Sequence, residues 1–195
     1  MLREVITRYF QMTDPAQLRP ARSACADFVI RQARSPSPEL NRFLYTAVGG
    51  DWHWIDRLSW TYARWLDYLA RPELETWVGY EGGTPAGYFE LEAQSGQGTA
   101  RDVEIAYFGL LPLFIGRGLG GPLLTAAVKR AWEMGVSRVW LHTCTLDHSS
   151  AAGNYEARGF RLYKEETKLV DLPDESPGPW PGAGRARSAS VQRDR

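Results

Sequence analysis

Cysteine is scarce in this 195-residue sequence, which holds only Cys25 and Cys144. Two thiols so far apart match neither a paired metal-ligand spacing nor the dense disulfide framework of a small secreted domain. Both are therefore expected to be packing residues, and no metal site is expected. Net charge is lacking too, since Lys plus Arg and Asp plus Glu total 23 each. No overall field would draw the chain to nucleic acid or to an anionic membrane, so a ligand has to be recognised locally. Long apolar runs are also missing: charges interrupt the opening MLREVITRYF, and nowhere do about 18 apolar residues run together. The expectation is a soluble, cytoplasmic protein.

What is present is core-forming material. A hydrophobic share of 44% with 12% aromatics is ample for one packed unit at this length. Val5 to Met12 and Asp27 to Arg34 carry β-branched and aromatic residues in partial alternation and read as strands. Leu40, Phe43, Leu44 and Val48 recur at helical spacing before Gly49-Gly50. Asp56 can cap a second helix with the stripe Leu58, Tyr62, Trp65 and Leu69. Glu75 to Tyr80 and Pro85 to Leu91 flank a turn at 81–84 and predict a hairpin, with Asp102 to Leu110 as the next strand after a loose turn at 94–99. Gly118 to Gly135 predicts a helix, Arg138 to Thr145 a strand, Ser149 to Arg158 a short helix closed by Gly159, and Phe160 to Val170 a last strand or hairpin. This order gives a mixed α/β fold, one sheet with helices on its faces, over residues 1–171. From Leu172 onward Pro, Gly, Ser and Arg dominate, and residues 172–195 are expected to be a disordered tail.

The segment most suggestive of function is Leu110-Leu-Pro-Leu-Phe-Ile-Gly116-Arg-Gly118-Leu-Gly120-Gly121-Pro122. It runs from a strand through glycines into an amphipathic helix. Such a junction can hold a phosphate through main-chain N–H groups and the positive end of the helix dipole. Glycine lets the backbone close around the anion, Arg117 could add a charge contact, and Pro122 suits a helix start. A plain packing turn is the bland alternative. Gly116, Gly118 and Gly121 also fit G-x-G-x-x-G, which brings in a nicotinamide-dependent oxidoreductase. Yet no acid lies in the following strand, and hairpins rather than strand-helix-strand crossovers precede the loop.

With these features in view, the chain resembles the GCN5-related N-acetyltransferase (GNAT) family over roughly residues 27 to 170. The family's loop pattern maps onto Ile115, Gly118 and Gly120, with Ile115 in place of a polar residue. A second hallmark, a tyrosine-bearing helix ending in Gly-Phe, is matched by Asn154-Tyr155-Glu-Ala-Arg-Gly159-Phe160. His148 replaces an asparagine often found seven residues before that tyrosine. The resemblance implies a mostly antiparallel sheet splayed between the strands 102–110 and 138–145, with acetyl-CoA as co-substrate in the gap. Residues Leu110 and Leu111 would offer main-chain hydrogen bonds. Ile115, Gly116, Arg117, Gly118, Leu119, Gly120, Gly121 and Asn154 would surround the cofactor. Family members also often pair as homodimers.

The implied reaction is transfer of an acetyl group to a primary amine. An alkylamine with a pKa near 10 is only about one part in a thousand free base at neutral pH, so a proton acceptor helps. Glu104 should face away from the apolar row Val103, Ile105 and Tyr107, and the resemblance gives it the general-base position. Otherwise it is a solvated strand glutamate. Tyr155 is the candidate general acid towards the departing thiolate, unless it is merely a packed aromatic. A main-chain N–H near Leu110 could hold the oxyanion. His142 reads as a packed histidine and Asp147-His148 as a helix entry rather than a dyad, with a catalytic role for either as the lesser alternative. Trp52 and Trp54, with His53 and Trp60 nearby, would form the acceptor wall, for a small-molecule or protein amine. A CoA-binding module without turnover is the main rival.

Overall fold

A computed structural model describes residues 1–23, 25–95, 101–176 and 178. Its strands are β1 (Leu2–Met12), β2 (Phe28–Ala33), β3 (Leu74–Glu81), β4 (Thr84–Ser95), β5 (Arg101–Leu110), β6 (Arg138–Cys144) and β7 (Arg161–Asp171). The helices are α1 (Pro38–Gly49), α2 (Tyr62–Leu69), α3 (Gly120–Glu133) and α4 (Ala151–Ala157). All seven strands form one sheet in the order β2-β3-β4-β5-β6-β1-β7, antiparallel throughout except between β5 and β6. The predicted mixed sheet with flanking helices is thus observed.

Local chemistry explains the elements. Ser37 caps α1 by accepting from the Leu40 N–H, and Pro38 follows at the first helical position. Gly82 and Gly83 both take positive φ in the β3–β4 turn, as a two-residue hairpin turn of type I′ requires. The second helix begins later than predicted, because Thr61 rather than Asp56 caps it. Asp56 instead accepts hydrogen bonds from Tyr45 at 2.5 Å and Tyr107 at 2.9 Å. The last element is a single strand, β7, rather than a hairpin.

One sheet face packs on α3 and α4 through Phe10, Phe89, Leu91, Val103, Val139 and Leu141. The other face is covered over β3, β4 and β5 by α1 and α2, with Leu44, Tyr45, Val48, Trp65, Val78 and Tyr88 buried. A buried ion pair ties that second layer down. Arg57 meets Glu90 at 3.0 Å, and Glu90 also accepts from Asn41 and Tyr68.

Two irregularities shape the centre of the sheet. The β4–β5 register shifts between Glu90↔Tyr107 and Leu91↔Ile105, leaving Ala106 as an extra residue. This bulge turns Tyr107 onto the face of Glu104 and Glu90, correcting the expectation that it continues the row of Val103 and Ile105. Beyond Glu104↔Trp140 the β5–β6 pairing stops, whereas β6 stays paired with β1 from Thr7↔Cys144 to Met12↔Val139. The sheet is therefore splayed where the resemblance implied.

The tail segment from 179 and part of the turn at 94–99 lie outside the described residues. Leu172 is buried, and Ser176 donates to the Gly50 carbonyl while accepting from the His53 N–H. No helix among the described residues is long and apolar enough to cross a membrane.

Candidate functional site

The gap between β5 and β6 opens into a cleft of about 920 Å3, at the upper end of the usual size for a ligand site. Its floor is the loop into α3. Gly116 and Gly118 adopt φ of 83° and 76°, values only glycine takes at little cost, and both line the cleft. The helix starts at Gly120, two residues later than predicted, and no side chain caps it. The amides of its first turn are thus left for an anion. Pro122 sits third in the helix, where a missing N–H costs no intrahelical bond.

Helix α4 crosses over this mouth. The Asn154 amide nitrogen would lie 3.6 Å from a Cβ at Gly120, and Arg158 Nη1 would lie 2.5 Å from one at Gly121. One helical turn therefore sets an amide and a guanidinium over the two glycines. The Nε of Arg158 is buried without a hydrogen-bond partner among the described residues. A partly buried guanidinium with an unpaired N–H favours a partner, and an anion at Gly120 and Gly121 would supply it. Sequence reasoning missed Arg158, although its i+4 spacing from Asn154 inside the same motif was a usable signal.

Leu119, Gly120, Gly121, Ile115, Leu110, Asn154 and Tyr155 all line the cleft. Leu111 does not, because its N–H is already given to the Ala86 carbonyl at 2.9 Å. By strand alternation that bond makes Gly87↔Leu110 a pair without mutual hydrogen bonds. The main-chain groups of Leu110 then point to the open side, where β6 has withdrawn. Arg117 also lies off the cleft wall, pairing with Glu81 at 2.8 Å on the surface. The Leu111 N–H and the Arg117 guanidinium, both expected to meet the cofactor, are engaged by these bonds in this structure.

Tyr155 is buried against Phe10, Phe108 and Phe160 yet still reaches the cleft. Burial drives its phenol well above the ordinary value, so it stays protonated. Glu104 is held behind the wall rather than in it, and Gln94 donates to it at 2.8 Å. Burial raises its carboxyl to about 7 despite that bond. His142, expected to be packed, is 46% exposed and lines the cleft, with Nε2 at 3.7 Å from Glu104. Cys144 also faces the cleft, its thiol pushed up to about 11 by burial.

At the far end stand Trp52, His53, Trp54 and Asp56. Trp54 packs edge-on against Tyr107 and lies over Gly49, where any side chain would collide with its ring. Trp52 meets His148 edge-on with centroids 5.2 Å apart, joining the loop after α1 to the loop before α4. Among the described residues no cluster of His, Cys, Asp or Glu could hold a metal.

Residues 38–160 match the acetyltransferase (GNAT) family. The chain belongs to this family. A segment of 62 residues is 42% identical to mycothiol acetyltransferase of Corynebacterium aurimucosum, covering 32% of this chain and 20% of that protein. A GCN5-related N-acetyltransferase from Kribbella flavida superposes with a TM-score of 0.59 at 18% identity, over 85% of this chain and 58% of the other. An aminoglycoside acetyltransferase from an uncultured soil metagenomic sample gives 0.57 at 14% identity, over 68% and 87%. The chain thus spans one fifth of the curated relative and little more than half of the Kribbella protein. The mostly antiparallel GNAT sheet also displaces the oxidoreductase reading, which needed successive strand-helix-strand crossovers.

Proposed function

We propose that this GNAT domain transfers an acetyl group from acetyl-CoA to a primary amine. The observation that carries the reading is the uncapped α3 N-terminus, with positive-φ glycines, opening onto the splayed β5–β6 gap. The first-turn amides and Arg158 would hold the diphosphate, and the pantetheine arm would bond the free main-chain edge of β5. That arm would set the thioester carbonyl near the Leu110 N–H, which would stabilise the oxyanion of the tetrahedral intermediate.

The acceptor would enter between Trp52, Trp54 and the Asp56 carboxylate, a wall suited to an amine that is cationic with an apolar or ring-like body. Its nitrogen attacks the thioester carbonyl, the C–N bond forms, and the C–S bond breaks. Tyr155, held as a neutral phenol, would hydrogen-bond to the leaving thiolate. Glu104 would be the carboxylate that supports removal of the amine's proton. The mycothiol and aminoglycoside enzymes among the relatives favour a small amine-bearing acceptor. The likeness to each is partial, so a protein amine belongs in the same screen.

A second reading, CoA binding without turnover, draws on Glu104 lying behind the cleft wall. One experiment tests both. Calorimetric titration with acetyl-CoA should show binding that NAD does not reproduce, and thiol release should appear on adding amines from a chemically broad library. Binding without thiol release from any amine selects the second reading, and no binding of acetyl-CoA refutes both.

A further inference from the structure

The proton route is more specific than a single carboxylate. We propose that His142 takes the proton from the acceptor amine, with Glu104 behind it as the partner of the imidazolium. This rests on the acetyltransferase reading above. Glu104 and Trp140 form the last paired step between β5 and β6. His142 lies two residues further along β6, so it projects from the same face at the point where the gap begins. The ring therefore stands between the buried carboxylate and the open cleft. It lines the cleft, whereas Glu104 does not, and its Nε2 is 3.7 Å from the carboxylate. Such spacing lets the pair tighten when the imidazole becomes charged.

Every neighbouring element contributes to its surroundings. From β1 the Tyr9 ring lies 5.7 Å away, and on β6 itself Trp140 lies 6.4 Å away and Cys144 shares its face. Asp56 from the loop before α2 and Asp147 from the loop before α4 act on it through charge, and Glu104 faces it from β5. Burial favours the neutral ring, while Asp56 and Asp147 favour the charged one. Asp147 is itself held by the Thr143 hydroxyl and the Cys144 N–H, so it orients the site without reaching for the amine's proton.

The step balances. The ammonium gives one proton to the imidazole, and the free amine attacks the thioester carbonyl, forming C–N as the C–S bond breaks. The nitrogen's second proton is matched by the one the thiolate takes up. The imidazolium then releases its proton to solvent through its exposed side, and no further reactant is needed.

The chain has three histidines, so 13C-labelled imidazole resonances can be followed individually by NMR, with His142→Gln assigning its signal. Glu104 titrates in the same pH range as the ring, so the two groups share protons and the His142 curve of the parent should be broad and two-stepped, whereas Glu104→Gln should reduce it to a single step. A curve of the same shape in parent and variant overturns the pairing. In parallel, thiol release from acetyl-CoA is measured with tyramine, protonated at neutral pH, and with hydroxylamine, which is not. His142→Gln should slow tyramine about 10²-fold or more and hydroxylamine only a few-fold, with acetyl-CoA affinity unchanged. A tyramine rate within threefold of the parent overturns the role. His142→Asn serves if the Gln variant does not fold. Should neither amine react with the parent chain, a protonated amine that does react in the library screen takes the place of tyramine, and the NMR titration decides the pairing.

Discussion

Replacing Glu104 by Gln should stabilise the protein at high pH while weakening its chemistry. The carboxyl rises from the ordinary 4.5 to about 7, chiefly through burial. The folded state therefore holds this proton at a pH where the unfolded chain has released it. Between about 4.5 and 7 the native state binds more protons, so stability falls as pH rises, and the loss is complete above about 7. A shift of this size corresponds to about 3 kcal/mol. Glutamine keeps an oxygen for the Gln94 amide and carries no charge. The difference in unfolding free energy between variant and parent should thus be near zero at pH 4 and grow to about 3 kcal/mol by pH 8. At this chain length that is roughly 6 to 12 °C in Tm. Paired urea titrations at several pH values measure it, and the subtraction removes the titrating groups that are not in contact with Glu104. A difference that stays flat from pH 4 to 8 would refute the placement of Glu104 as a desolvated carboxylate.

Arg57→Met should cost about 3 to 5 kcal/mol, because it strands the Glu90 carboxylate, which is 0% exposed; urea unfolding should show that adding Glu90→Gln recovers most of the loss. Arg158→Ala should weaken acetyl-CoA binding about 10- to 100-fold by calorimetry, with S-acetylpantetheine, which lacks the diphosphate, unaffected. Tyr155→Phe should lower kcat about 10²-fold with the KM for acetyl-CoA little changed, and steady-state thiol release reads both.

The elements with a dominant local signal were legible in the sequence. Ser37-Pro38, the double glycine at 82 and 83, and the apolar stripe of α3 each act within a few residues, and each element formed close to its predicted bounds. Tyr107 failed because alternation presumes an unbroken register, and the extra residue at Ala106 is decided by pairing with β4 rather than by local sequence. Asp56 failed for a similar reason: two tyrosine hydroxyls from α1 and β5 outcompeted the helix amides, and Thr61 was a better cap nearby. At the site, the glycines were readable because positive φ restricts residue type. The pairing of Arg117 with Glu81 was not, since it depends on β3, which lies far away in the chain. His142 and Glu104 show the limit most clearly. Both sit on strands of known polarity, yet which of them meets the cleft depends on where the β5–β6 pairing ends.

That ending has a physical cause in β1. The strand β6 is bonded to β1 along nearly its whole length, six registered positions against three with β5. Holding β6 to β1 while the β5 bulge increases local twist pulls the two parallel strands apart after Glu104. The free edge of β5 at Leu110 then faces a cavity rather than a neighbour. Unpaired main-chain groups there carry a cost unless something meets them. A ligand with amide groups along an extended arm can do so, and the anion-ready helix mouth at Gly120 fixes which end of it arrives where. The N-terminal strand, remote in sequence from both motifs, is on this argument what keeps the cleft open. Weakening its hold, by Phe10→Ala in the core behind the β1–β6 pairing, should lower acetyl-CoA affinity along with stability, because the gap and the fold depend on the same pairing. Differential scanning fluorimetry with and without acetyl-CoA checks this, and a ligand-induced Tm increase as large as the parent's would show that the gap does not need β1.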